Sequence, residues 1–208
     1  MVSIEKRILF VGNSYTHQHR VPNQVVTRLN KRHGPDVAYE AFVVADDGRN
    51  LIKYVDDTRI LNALNAQAFD YIVLQDQSAA SFYQRNRDEF LRAMRWFKAK
   101  ADAESAEIVL YQTWPRRPGH SFYRERAGRG FTPPKTPQEM RFRVERAYQK
   151  AADMFGAQVA PVGNCWMQQD NLAALYQPDG SHASAKGAAL ASRVIADTIA
   201  GEQEPCLT

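Results

Sequence analysis

Arg7-Ile8-Leu9-Phe10-Val11-Gly12-Asn13-Ser14-Tyr15-Thr16 is the stretch whose reading decides the fold. Ile8 to Val11 is an unbroken apolar run, the pattern of a strand covered on both faces. The run stops at Gly12, and after a short polar gap Pro22-Asn23-Gln24-Val25-Val26-Thr27-Arg28-Leu29 opens a helical pattern. A strand that turns sharply into a helix leaves backbone N–H groups facing a crevice, with Ser14 at their focus.

Four more short runs of strand type follow, at Val37–Ala45, Asp70–Gln75, Glu107–Gln112 and Gln158–Val162, after the first at Arg7–Gly12. Helical patterns near Pro22–His33, Leu51–Ala66, Arg85–Ala103 and Pro137–Phe155 separate them, and a last one runs from about Ala183 to Ala200. Strict alternation of strand and helix predicts a parallel sheet with helices on both faces. The expectation is an α/β fold, a flavodoxin-like three-layer α/β/α sandwich on a five-stranded parallel sheet. In such a sheet, ligands sit beyond the carboxyl ends of the strands where the strand order reverses, here between the first and third strands.

Composition narrows the function classes. The 208 residues suit one domain spanning 1–208, with a full core and no repeat or interdomain linker. The net charge of +4 is mild, and no recognised motif accompanies it, so no nucleic-acid partner is expected. No run approaches the ~18 apolar residues of a membrane span, so no membrane partner is expected either. Met1 to Lys6 leaves no room for a signal peptide, which implies a cytoplasmic protein if Met1 is the native start. Cys165 and Cys206 are too few and too far apart to suggest a disulfide framework or a metal site. The oligomeric state is not legible.

One segment is irregular. Trp114 to Pro137 is rich in proline, glycine and arginine, and it follows the fourth strand, so it rises from the same sheet edge as Ser14. A loop this long is either a solvated surface or a wall of the substrate site. In the second case Arg116, Arg117 or Arg124 would favour an anionic or sugar-like ligand.

The loops at that sheet edge carry the chemistry. After the first strand stands Gly12-Asn13-Ser14; after the second, Asp46-Asp47-Gly48-Arg49-Asn50; after the third, Gln75-Asp76-Gln77-Ser78. Just before the last helix stands Pro178-Asp179-Gly180-Ser181-His182. A serine needs a neighbouring base to become a nucleophile, and the base needs a partner that fixes its tautomer. Three residues before His182, the Asp179 carboxylate can curl back to the imidazole N–H and leave the other nitrogen facing Ser14. The N–H of Ser14, the N–H of Gly48 and a side-chain amide such as Gln77 would serve a developing oxyanion, with Gln75 as the rival amide. Tyr15 and Trp114 are either substrate-binding aromatics or packing. His17 and His19 could line the crevice, but a His-x-His pair without a carboxylate or cysteine cluster is a poor metal site. No metal or organic cofactor is expected.

These blocks resemble the SGNH (GDSL-type) hydrolases, and the resemblance covers most of the chain. Gly12-Asn13-Ser14 stands where that family has Gly-Asp-Ser, Gly48 matches the second-block glycine, and Asp179 with His182 matches the terminal Asp-x-x-His. Two departures mark a divergent branch. Asn13 replaces an aspartate that is not itself catalytic, and the third block, normally Gly-x-Asn-Asp, reads Gln75-Asp76-Gln77-Ser78. The resemblance implies a serine esterase or acylhydrolase working through an acyl-enzyme on a small-molecule or carbohydrate ester, with small acyl groups such as acetyl. The altered third block leaves a second reading open, an inactive module of the same fold that binds a glycan or anionic ligand. A flavin- or phosphate-binding domain is a weaker third, because the first loop lacks a glycine-rich cradle.

Overall fold

The computed structural model describes residues 4–202 and 206; Met1 to Ser3, on which the reading of the chain start partly rests, lie outside the described residues. In chain order the elements are β1 (Ile4–Gly12), α1 (Ser14–His17), α2 (Val21–His33), β2 (Val37–Ala45) and α3 (Thr58–Ala66). They continue with β3 (Tyr71–Leu74), α4 (Gln84–Glu104), β4 (Glu107–Tyr111), α5 (Pro137–Phe155), β5 (Gln158–Ala160), α6 (Val162–Met167) and α7 (Ala185–Ile199). The five strands form one parallel sheet in the order β2-β1-β3-β4-β5. β1 and β3 are neighbours, so the strand order reverses between the ends that carry Ser14 and Gln77.

Strand periodicity sorts the core into two layers. Leu9, Val11, Ile72, Leu74, Ile108 and Leu110 face α3, α4 and α5, whereas Ile8, Phe10, Val73, Val109 and Tyr111 face α2, α6 and α7. The unbroken apolar runs at Ile8–Val11 and Ile72–Leu74 are therefore buried on both sides, as the three-layer expectation requires. Caps set several helix starts. Thr136 accepts the Glu139 N–H at 3.1 Å ahead of α5, and Ser184 accepts the Gly187 N–H at 3.2 Å ahead of α7.

The structure corrects three expectations and adds detail to a fourth, the loop that supplies Arg116 to the cleft. The helical pattern at Leu51–Ala66 is two pieces: a 3₁₀ turn at Leu51–Tyr54, then a break at Asp56 (φ +59°), then α3 capped by Asp57. Aspartates that hydrogen-bond their own backbone stop one helical stretch and start another. The fifth strand ends at Ala160 rather than Val162, because Pro161 has no N–H for the ladder and instead precedes α6, a short helix the sequence did not suggest. In the loop from Trp114 to Pro137, Phe122, Tyr123 and Phe131 are buried, and Tyr83, just before α4, stacks on Phe131 with ring centroids 4.3 Å apart. Finally, Cys165 and Cys206 form a disulfide. Linear spacing hid it, since residue 206 follows α7 back onto α6, bringing the two Cα atoms to 4.8 Å.

Candidate active site

Ser14 owes its position to a turn that only glycine permits. A Cβ on Gly12 would lie 2.2 Å from Thr16 Oγ1 and 2.7 Å from Gln75 Oε1, so a side chain there would prise β1 from α1. Asn13 then caps α1. Its Oδ1 accepts the Tyr15 N–H at 3.1 Å, and its carbonyl accepts the N–H groups of Thr16 and His17 at 2.8 and 3.2 Å. Asparagine thus does the capping work open to an aspartate, and its Nδ2 additionally donates to Arg49 O at 3.1 Å, tying the first loop to the second. Ser14 is the first residue of α1, so its N–H has no carbonyl one turn back.

His182 arrives from the other end of the chain. Gly180 (φ +68°) turns Pro178–His182 back on itself, and Gln177 N–H donates to His182 O at 2.8 Å. Asp179 Oδ1 accepts the N–H groups of Ser181 and His182 at 2.8 and 3.0 Å, leaving Oδ2 aimed at His182 Nδ1, 2.5 Å away. His182 Nε2 lies 3.0 Å from Ser14 Oγ. Partial burial pushes the Asp179 carboxyl up, but the His182 hydrogen bond and the two backbone N–H groups outweigh it and hold the carboxyl at about 2. An ionised Asp179 fixes the tautomer: Nδ1 carries the proton and donates, and Nε2 keeps its lone pair for the serine hydroxyl.

A cleft of about 320 Å³ opens over this pair, lined by Ser14, Tyr15, Gly48, Gln77, Arg116 and His182 among others. Gly48 (φ +65°) sits in a turn closed by Arg49 N–H on Asp46 O at 3.3 Å. The Arg59 guanidinium, with that of Arg49, grips the Asp46 carboxylate and holds it far below the usual carboxylate range. Tyr54 completes the anchorage, donating to Gly12 O at 2.6 Å while accepting Asp46 N–H at 2.7 Å. In the third loop, Gln77 Oε1 accepts the Ala79 N–H at 2.9 Å, which leaves the amide NH₂ as its free end.

Two expected substrate contacts are not at the cleft surface. Gln75 is fully buried: its Oε1 accepts from Asn13 N–H at 3.0 Å and Thr16 Oγ1 at 2.8 Å, and its Nε2 donates to Asp76 O at 2.5 Å. It is the bolt of the first loop, buried away from the cleft with all its polar contacts made to neighbouring protein groups. Trp114 is also fully buried, stacked between Tyr15 and Trp166 with centroids 4.4 and 4.2 Å away, and its Nε1 donates to Ser181 O at 2.9 Å. Both serve by packing, because an amide with three partners and an indole between two rings have no face to offer. Tyr15 does line the cleft, edge-on to His182 at 5.4 Å, and donates to Ser181 O at 2.9 Å. Arg116 also lines it and donates to the Tyr15 hydroxyl.

His17, His19 and His120 are bonded away from Ser14. His17 faces Asp47 at 2.7 Å, His19 bonds Ala183 O at 3.0 Å, and His120 Nδ1 accepts Phe122 N–H at 3.0 Å. Among the described residues no group of three or more His, Cys, Asp or Glu could hold a metal ion. Among those residues, too, no helix is long and apolar enough to cross a membrane. Sequence reasoning missed Ser181, whose Oγ lies 2.8 Å from the Tyr15 hydroxyl, and Asp76, buried behind Gln77. Only the Asp-x-x-His block pointed toward Ser181, and nothing in the sequence distinguished Asp76 from a solvated loop acid.

No protein-family model and no curated protein matches this sequence. Solved structures do. A protein from Slackia heliotrinireducens described as a candidate SGNH hydrolase is similar at a TM-score of 0.78 and 27% identity, over 94% of this chain and 99% of that one. The chain has the SGNH-hydrolase fold. A lipase/acylhydrolase from Enterococcus faecalis is similar in fold at a TM-score of 0.67 and 14% identity, over 96% and 98% of the two chains. An acetylxylan esterase from Geobacillus stearothermophilus matches with the same score and identity over 93% of each chain. Ser14, Gly48, Gln77 and His182, the four residues that the sequence resemblance singles out, line one cleft in this structure.

Proposed function

We propose that the chain is a serine esterase that removes a small acyl group, such as acetyl, from a carbohydrate or other small alcohol. The observation that carries this reading is the continuous chain Ser14 Oγ–His182 Nε2, 3.0 Å, and His182 Nδ1–Asp179 Oδ2, 2.5 Å, at the wall of an open cleft. Ser14 attacks the ester carbonyl while His182 takes its proton. Asp179 steadies the imidazolium that forms, without taking a proton itself. The oxyanion is held by the N–H groups of Ser14 and Gly48 and by the free amide end of Gln77. The tetrahedral intermediate collapses, the alkoxide leaves with the proton from His182, and the acyl group stays on Ser14. Water, deprotonated by His182, then releases the acid and restores the serine.

The cleft volume supports a small acyl group, and the similarity to an acetylxylan esterase supports an O-acetylated saccharide. Arg116 and Tyr15 would hold the alcohol side. The test is labelling with a fluorophosphonate followed by peptide mass spectrometry. The expected adduct is on Ser14 alone, absent in Ser14→Ala; an unlabelled Ser14 in folded protein would sink the proposal.

A further inference from the structure

A second hollow of about 600 Å³ lies between α4 and α5, beneath the turn at Gly130–Thr132. Arg143, Arg146 and Lys150 line it from one face of α5, at the three- and four-residue spacing that stacks side chains on a helix, and Arg87 faces them from α4. Among the described residues no carboxylate lines this hollow. Arg143 is partly committed, to Glu139 and to Thr132 O at 2.7 Å, and Arg87 donates to Ser81 O at 3.0 Å. Arg146 and Lys150 are exposed and have no ion pair among the described residues; Arg146 rests over the Phe142 ring at 5.7 Å. The neighbouring hollow shows the contrast: there Arg85, Arg92 and Arg129 are accompanied by Asp88 and Glu89, and Arg85 pairs with Glu89 at 2.8 Å.

Four cations around one concavity repel each other and concentrate anions. Arginine forks match the planar or tetrahedral oxygens of carboxylate, sulfate and phosphate. We propose that this hollow is a binding site for a small oligoanion with two or more carboxylate, sulfate or phosphate groups. Its volume is that of a small-molecule pocket (about 300–1,000 Å³) rather than of a long polymer track. The site is separate from the catalytic cleft but adjoins it from behind. A cavity of about 100 Å³ is lined on one side by Arg87 and Lys150 and on the other by Gln77 and Ser78 of the third loop.

The experiment is isothermal titration of the protein with tripolyphosphate and with trigalacturonate, repeated on the double variant Arg146→Gln/Lys150→Gln. Neither residue touches the catalytic cleft, so the melting temperature and the hydrolysis of 4-nitrophenyl acetate should not change. At least one probe should bind, with affinity falling as salt rises and dropping about tenfold or more in the variant, the scale of two lost charge-assisted contacts. Binding of tripolyphosphate alone would identify a phosphate ligand, and binding of trigalacturonate alone a carboxylate ligand. Binding of neither, or binding that the double variant leaves intact, would overturn the proposal. So would a single-stranded oligonucleotide that binds far more tightly than both probes, because the surface would then be a nucleic-acid one. The readout is binding, so the result stands whether or not Ser14 is a nucleophile.

Discussion

Ser14 Oγ lies 3.0 Å from His182 Nε2, although 168 residues separate them in the chain. The two meet because the sheet places the end of β1 and the start of α7 at one edge, and because each is held by its own local turn. Gly12, Asn13 and Gln75 fix Ser14; Gly180 and Asp179 fix His182. On the proposed mechanism catalysis rests on two corners built by separate loops and joined by the Tyr15–Ser181 hydrogen bond.

Asp179→Asn tests the second corner. The carboxylate sits at about 2, so it is ionised at every pH at which an esterase would be assayed. A carboxamide in its place favours the wrong imidazole tautomer. The expected loss in kcat is on the order of 10,000-fold, with an unchanged circular-dichroism melt. A loss below tenfold would mean that another group orients His182.

The two glutamines of the third loop should separate cleanly. Gln77→Ala removes a free amide from the cleft and should lower kcat by about 100-fold or more with little effect on stability. Gln75→Ala strands three buried hydrogen-bonding partners and should cost about 3 kcal/mol in urea unfolding. If Gln75→Ala were as stable as wild type, the account of how Ser14 is held would be wrong.

The fold was largely legible because its signals are local. The apolar runs of β1 and β3 and the helical pattern of α4 mark their elements within a few residues. Ser14, Gly48, Gln77 and His182 could be placed together because each follows a strand or precedes a helix at one sheet edge. What was not legible depends on contacts distant in sequence. Trp114 is buried by Tyr15 and Trp166, Cys165 is bonded to Cys206, and Asp76 accepts Leu51 N–H at 2.9 Å from another loop. A tryptophan after a strand has the same local pattern whether a sugar or another indole covers it.

Asp76 should leave a pH signature. Burial pushes its carboxyl up from 3.8 to about 6, against the opposing pull of the Leu51 and Gln77 N–H groups. The folded chain therefore holds a proton between about pH 4 and 6 that the unfolded chain has released. This contribution is complete below the unfolded value and is lost as pH rises through about 6, amounting to about 3 kcal/mol at ~1.4 kcal/mol per pH unit. Unfolding free energies of wild type and Asp76→Asn, measured at pH 4 and pH 7, should diverge, with wild type losing relative stability at pH 7. A pH-independent difference would refute this.

The disulfide closes a loop spanning 41 residues and should contribute about 4 kcal/mol on the chain-entropy account. Denaturant unfolding with and without reductant checks the size. Disulfides persist in oxidising compartments and are rare in the cytosol. Trapping free thiols with an alkylating reagent in the native cells would therefore test the cytoplasmic expectation as well. Fully alkylated Cys165 would mean a reducing environment, and a protected Cys165–Cys206 pair an oxidising one.

The most direct measurement is the rate of 4-nitrophenyl acetate hydrolysis by the protein and by Ser14→Ala, side by side at equal concentration. The account expects turnover in the first and a fall of about 10,000-fold or more in the second. Turnover that survives the substitution would contradict the central claim, because the hydroxyl 3.0 Å from His182 would then not be the nucleophile.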